Sequence, residues 1–230
     1  LRNALEQGHI HPAFQPICNL KNGEPVAYEV LARMRVDGLV IQAKDFITVA
    51  EELGLTREVD LHIIAQALKL TPPEYALFLN VDISSFNDKD FVGELSDLLK
   101  PACDEGRSIT IEITERETIP LSDGLHEDIQ TLRALGCKLA LDDFGSGYST
   151  YNFLNQFRPD YLKIEGSFVR GMLRNESDRK IVTHIHELAT SFGMKTIAES
   201  VEDAATERAL QEIGINTAQG LFYGAPRLAS

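Results

Sequence analysis

Two adjacent acids, Asp142 and Asp143, end the apolar run Leu139-Ala140-Leu141 and are followed by Phe144-Gly145-Ser146-Gly147. The pattern predicts a buried strand that delivers carboxylates to its C-terminal end and then breaks into a loop. Neighbouring negative charges repel, and burying them unpaired is costly. Such a pair calls for a cation, and a divalent metal is the usual one. Adjacent strand residues point to opposite faces, so the sequence leaves open whether one of the two acids faces solvent.

The same design recurs along the chain. Apolar runs carry Glu29 in Tyr28-Glu29-Val30-Leu31-Ala32-Arg33, Asn80 in Phe78-Leu79-Asn80-Val81, and Glu112 and Glu115 in Ile111-Glu112-Ile113-Thr114-Glu115. Lys163 follows in Leu162-Lys163-Ile164-Glu165, Glu199 in Ile197-Ala198-Glu199-Ser200, and Gln219 in Ala218-Gln219-Gly220. Oxygen donors of this kind suit Mg²⁺ or Mn²⁺. A single acid at a strand end is more often a solvated loop residue or a helix cap. Lys163 taken alone reads equally as a snorkelling lysine or as a group that contacts water or phosphate. Recurrence at so many strand ends is what solvation does not explain. The six histidines share no strand-end pattern and receive no role, and no His or Cys cluster offers a zinc or iron site.

These side chains need elements to hold them. Strand patterns cover 11–17, 26–32, 76–81, 108–114, 138–141, 161–164, 195–198 and 217–222. Helical spacing covers 1–8, 45–53, 56–70, 121–135, 177–192 and 202–213, with Thr56 as an N-cap candidate and Gly136, Gly193 and Gly214 at helix-stop positions. The turn Lys21-Asn22-Gly23-Glu24 makes the first two strands an antiparallel hairpin. The later strand–helix alternation implies parallel strands with right-handed crossovers. Eight strands predict an α/β fold, a TIM-like (β/α)₈ barrel with the first strand antiparallel to the others. An open doubly wound sheet is the alternative, but it would normally show an early glycine-rich phosphate turn. In a barrel, chemistry sits at the C-terminal strand ends, and here every strand but the first offers a polar group there.

Composition narrows the partners. The chain has 230 residues, a net charge of −13 and 43% hydrophobic residues, enough for one core and one expected domain spanning 1–230. Acidity argues against duplex nucleic acid, which is bound through Lys and Arg. No apolar run reaches the length of a membrane span, so no direct membrane contact is expected. Cys18, Cys103 and Cys137 lack metal-ligand spacing and fit a reducing, cytoplasmic setting. The start at Leu1 suggests a domain excised from a larger signalling protein.

In order and spacing, the chain resembles the EAL family of cyclic di-GMP phosphodiesterases over nearly its whole length. The matching segments are Gln15-Pro16-Ile17, Glu29-Val30-Leu31-Ala32-Arg33, Asn80-Val81, Glu112-Ile113-Thr114-Glu115, Asp142-Asp143-Phe144-Gly145-Ser146-Gly147, Lys163-Ile164-Glu165, Ala198-Glu199-Ser200-Val201-Glu202 and Gln219-Gly220. The resemblance implies two-metal hydrolysis of cyclic di-GMP to linear pGpG with Mg²⁺ or Mn²⁺. It implies Glu29, Asn80, Glu112 and Asp142 as ligands of one metal, and Asp142 with Asp143 at the second. Lys163 and Glu199 would orient the attacking water, making them catalytic with Glu29. Gln15, Leu31, Arg33 and Gln219 would contact substrate, and Glu115 would anchor the glycine loop.

The family also implies a homodimer contact after the glycine loop, for which Tyr151, Phe153 and Phe157 are candidates, although their spacing fits ordinary core equally well. Attached sensory or GGDEF-type domains are implied too. Met34, Ser146, Glu165 and Ser200 depart from the family pattern, with Ser200 standing where glycine is usual. A receptor that binds without cutting is the alternative function. A metal-free glycosidase would have no use for Asn80 beside two aspartates and would usually bring tryptophan platforms, and the chain has no Trp.

Overall fold

The computed structural model describes residues 1–114, 123–145, 154–155 and 157–229. Its strands are β1 (Ile10–Asn19), β2 (Pro25–Val36), β3 (Leu39–Gln42), β4 (Leu77–Asn80), β5 (Ile109–Thr114), β6 (Lys138–Phe144), β7 (Tyr161–Ile164), β8 (Lys195–Ala198), β9 (Thr217–Gln219) and β10 (Arg227–Leu228). The helices are α1 (Arg2–Glu6), α2 (Ile47–Glu52), α3 (Thr56–Leu70), α4 (Phe91–Asp104), α5 (Asp123–Ala134), α6 (Gly166–Gly171), α7 (Glu176–Ser191) and α8 (Ala204–Ile213).

Eight strands close a barrel. From β2 the order runs through β4, β5, β6, β7, β8 and β9 to β1, which returns to β2. β1 is antiparallel to both of its barrel neighbours, and all the other barrel pairs are parallel. This is the reversed-first-strand barrel that the sequence alternation implied, and closure excludes the open sheet. β3 and β10 are short antiparallel additions to β2 and β1.

Four local expectations change. The apolar spacing singled out no helix between 81 and 108, yet α4 lies there and buries Phe91, Val92, Leu95 and Leu99, with Pro101 in its final turn. Thr56 is the first helical residue of α3 rather than its cap; Leu55 holds the cap position without a side-chain bond, and is itself buried in the core. β9 stops at Gln219 rather than running to 222. A Cβ at Gly220 would lie 2.1 Å from the Val201 carbonyl oxygen, so the chain turns across the segment after β8, and Phe222 N–H donates to Val201 O at 3.0 Å. Finally, Gln15, expected as a substrate contact, reaches the site from the middle of the first strand and not from a strand end, as described below.

Strand alternation sorts the barrel interior into layers. A small apolar cluster of Ile17, Ala27, Phe78, Ala140 and Ile197, with Tyr161 packed against it, is separate from the main core between barrel and helices. Each member lies two residues from a polar position on its own strand: Gln15, Glu29, Asn80, Asp142, Glu199 and Lys163 respectively. Six of the eight barrel strands thus set a polar site residue above an apolar floor residue, and on β5 and β9 threonines, Thr110 and Thr217, stand two residues below Glu112 and Gln219.

Two buried polar groups outside the barrel brace it. Arg107, just before β5, donates to the carbonyls of Leu68, Thr71, Pro72 and Tyr75 and to the Thr71 hydroxyl, closing the end of α3 and the turn into β4. Asp60 of α3 accepts from Asp82 N–H and the Ser85 hydroxyl, both at 3.0 Å, which fixes the turn directly after Asn80. Burial pushes the Asp60 carboxyl up to about 8, against those two bonds and with help from Asp82. The unfolded chain ionises this group near 3.8. Stability present below that pH is therefore lost as pH rises toward the folded value. Asp60→Asn is expected to be more stable than the parent at pH 8, on the order of 1–3 kcal/mol, with a smaller difference at pH 5. Urea unfolding at both pH values tests this, and equal differences would contradict it.

Candidate functional site

The polar layer converges on one ammonium. Lys163 Nζ lies 2.9 Å from Glu199 Oε1, 3.0 Å from Asp142 Oδ1, 3.2 Å from Glu112 Oε1 and 3.3 Å from Glu29 Oε1. The Lys163 side chain is 0% exposed, so snorkelling is excluded. Four strand ends thus supply carboxylates to a fifth that supplies the cation. Amides complete the ring. Asn80 Nδ2 donates to Glu29 Oε1 at 3.1 Å and to Val30 O at 3.2 Å. Gln219 Nε2 donates to Glu29 Oε2 and, at 2.9 Å, to Gln15 Oε1. Gln15 Nε2 donates in turn to Gly224 O at 3.1 Å.

Asp143 joins this group through a β-bulge. Between β6 and β7, Leu141 pairs with Leu162 but Phe144 with Ile164, so β6 spends one extra residue. Asp143 has φ +56, the left-handed region that a side chain visits only locally. Simple alternation would send Asp142 and Asp143 to opposite faces. The bulge instead leaves carboxylate oxygens of Asp142, Asp143 and Glu199 within 4.8 Å of one another.

Burial and charge pull these groups apart. Burial drives the Glu29 carboxyl upward, but Lys163 and the Gln219 and Asn80 amides outweigh it and hold the group below its ordinary range. Burial pushes the Glu112 carboxyl well above that range; Lys163 opposes, and the Glu29, Asp142 and Glu199 carboxylates reinforce the rise. Glu199 is raised well for the same first reason, with Asp142 the next contributor. Burial tends to lower the Lys163 ammonium, but Asp142, Glu112, Glu199 and Glu29 together lift it well above normal.

The donor set fits a hard divalent cation. Both Glu112 oxygens, Asp142 Oδ1 and Lys163 Nζ are buried without an aligned hydrogen bond, although Nζ stands close to four oxygens. Unsatisfied carboxylate oxygens facing a shared centre are what oxygen-liganded metals require.

Beside the ring lies a cleft of about 270 Å³ lined by Gln15, Leu31 and Gln219 on one side and Glu202 and the exposed Leu221 on the other. The sequence reading proposed Gln15, Leu31 and Gln219 here but not Glu202 or Leu221. Glu202 lay within a matching segment without an assigned task, and Leu221 had been placed inside a strand. Arg33 is four residues beyond Glu29 on β2 and donates to Ala32 O at 2.8 Å; it stands outside the carboxylate ring. Glu115, Tyr151 and Phe153 fall outside the described residues. Phe157 is 1% exposed in the main core, so it presents no surface for a dimer contact.

Comparison with known proteins agrees with this geometry. The chain matches the EAL domain over residues 1–226. It is 32% identical over 234 residues to the cyclic di-GMP phosphodiesterase PdeF of Escherichia coli (strain K12), covering 99% of this chain and 31% of that protein. The chain therefore spans about a third of that relative. Among solved structures, the EAL enzyme Bd1971 in its cAMP- and cyclic-di-GMP-bound form superposes with TM-score 0.89 at 26% identity, covering 98% of this chain and 64% of that one. The PaMucR phosphodiesterase in complex with c-di-GMP gives 0.86 at 26% identity, covering 98% and 95%.

Two departures from the family pattern have local explanations. Glu165 caps α6, accepting from Ser167 N–H at 3.1 Å, so its extra methylene is absorbed at a helix start. Ser200 has φ +55, a conformation that favours glycine. Its side chain occupies the space where a Cβ on Gly166 would stand, 2.3 Å from Ser200 Oγ. Gly166 thus leaves the room that the Ser200 side chain fills, while the backbone strain at 200 remains. Ser200→Gly is expected to stabilise the fold by about 1 kcal/mol. Gly166→Ala is expected to destabilise it by about 1–3 kcal/mol, and the double change to recover most of that loss. Thermal unfolding of all four proteins checks the cycle, and strictly additive effects would refute the contact.

Proposed function

We propose that this chain, which belongs to the EAL domain family, hydrolyses cyclic di-GMP to linear pGpG by a two-metal mechanism. The carrying observation is charge. Glu29, Glu112, Asp142, Asp143 and Glu199 gather around one ammonium, Lys163, leaving a formal excess of four negative charges at a buried mouth. Two divalent cations balance that excess, and an anionic phosphodiester then has a reason to enter an acidic protein.

Glu29, Asn80, Glu112 and Asp142 would hold one Mg²⁺ or Mn²⁺, with Asp142 and Asp143 at a second. Bound there, the ions would lower the pKa of a water and neutralise the phosphoryl oxygens. The chain's own groups do the rest. Gln219 and Asn80 fix both Glu29 oxygens, and Gln15 fixes Gln219, so the ring is set before substrate arrives. Lys163 would donate to the attacking water. Glu199, whose Oε1 lies 2.9 Å from Lys163 Nζ, would accept the water's proton. Water's oxygen would bond to phosphorus as the bond to the 3′-oxygen breaks, and the proton taken by Glu199 would pass to that departing oxygen, which leaves as a hydroxyl. Leu31 lines the cleft and Arg33 follows two residues later on β2; sugar and phosphate would contact them.

The reading extends to residues 1–230 as one phosphodiesterase domain of a longer cytoplasmic signalling protein, with sensory or GGDEF-type neighbours and a homodimeric assembly. It is consistent with the partial coverage of PdeF. No described helix is long and apolar enough to cross a membrane. Ser200, strained next to Glu199, is the observation that favours a receptor that binds cyclic di-GMP without cutting it.

Incubation with cyclic di-GMP and Mg²⁺ or Mn²⁺, followed by chromatography, is expected to give pGpG. EDTA should abolish the product, and Glu29→Ala or Glu112→Gln should lower the rate by about 100-fold or more, with unfolding temperature as the control for folding. Intact cyclic di-GMP under both metals would favour the receptor.

A further inference from the structure

A larger cavity, about 650 Å³, opens at the other mouth of the barrel, among the strand starts. Its roof includes Ile17, Phe78, Tyr161 and Ile197, members of the apolar floor layer or packed on it. Its rim includes the exposed Lys138 and Lys195, the first residues of β6 and β8. In a chain of net charge −13, no Asp or Glu lines this space. Among the described residues neither lysine has a carboxylate within ion-pair distance, so both ammonium groups are available at the rim. Lys195 Nζ instead sits 6.0 Å from the centroid of the Tyr161 ring.

The volume lies within the range of small-molecule sites, roughly 300–1,000 Å³. An apolar roof, an aromatic wall and two unpaired ammonium groups at the entrance define a complementary shape. We propose that this cavity is a second binding site, for a small organic anion with a flat apolar body: an aromatic carboxylate, sulfonate or phosphate ester. The ring stacks against Tyr161 and Phe78, and the anionic group meets Lys138 and Lys195. The site is independent of the carboxylate mouth, because the floor layer lies between the two.

The probe is anilinonaphthalene sulfonate, which has this chemistry and fluoresces when removed from water. Titration of the folded chain is expected to show saturable binding at one equivalent. Lys138→Glu/Lys195→Glu should weaken it by about tenfold or more. Ala76→Trp, which fills the cavity from its wall, should abolish it. Cyclic di-GMP with Mn²⁺ should leave the bound probe in place. Absence of saturable binding, binding unaltered in the lysine variant, or displacement by cyclic di-GMP would each overturn the proposal. The lysine changes are on exposed side chains, so that arm stands even if Ala76→Trp fails to fold.

Discussion

A single buried ammonium holds the polar mouth of this barrel together. Lys163 touches four carboxylates that come from four other strands, and without it their mutual repulsion would act in a medium that screens poorly. Such an arrangement is not a device for stability, since desolvating five charges consumes most of what their attraction returns. Its benefit is placement. Strands closed into a barrel cannot drift apart, so the carboxylates remain gathered although the surplus charge pushes them outward.

The closed sheet also explains how an ionic centre coexists with a folded interior. Period-two alternation places polar residues in one layer and Ile17, Ala27, Phe78, Ala140 and Ile197 in the next, keeping water away from the ring's underside. The outer core between barrel and helices is continuous and apolar, so the ionic layer is confined to the mouth. Bracing comes from outside: Arg107 satisfies the carbonyls at the end of α3, and Asp60 ties that helix to the turn after Asn80. Both are polar groups placed where the backbone would otherwise be left unpaired.

Much of this was legible in the residues because strand ends leave a simple trace: an apolar run with a polar residue near its close. Glu29, Asn80, Glu112, Asp142, Lys163, Glu199 and Gln219 each carry that trace, and they converge. Gln15 does not, since β1 runs backwards and presents its site residue in mid-strand, between Phe14 and Pro16. The bulge at Asp143 was invisible because it reverses the rule that alternation supplies. α4 was obscured by the acidic, turn-rich approach to it and by Pro101 near its end. Phe157 illustrates the opposite ambiguity: amphipathic spacing fits core and interface alike, and only packing separates them. The contact between Ser200 and Gly166 joins the segment after β8 to the start of α6, and a single sequence shows its parts without their contact.

The extra residue in β6 divides the carboxylates into two mechanical kinds. Those on regular ladder positions inherit the stiffness of a closed hydrogen-bonded cylinder. Asp143 sits where the ladder between β6 and β7 shifts register, two residues before Gly145 at φ +108. Its carboxylate is placed by a local shift of the backbone rather than by the ladder's repeat. Straightening β6 at that point would turn one carboxylate out of the group and leave the cylinder closed.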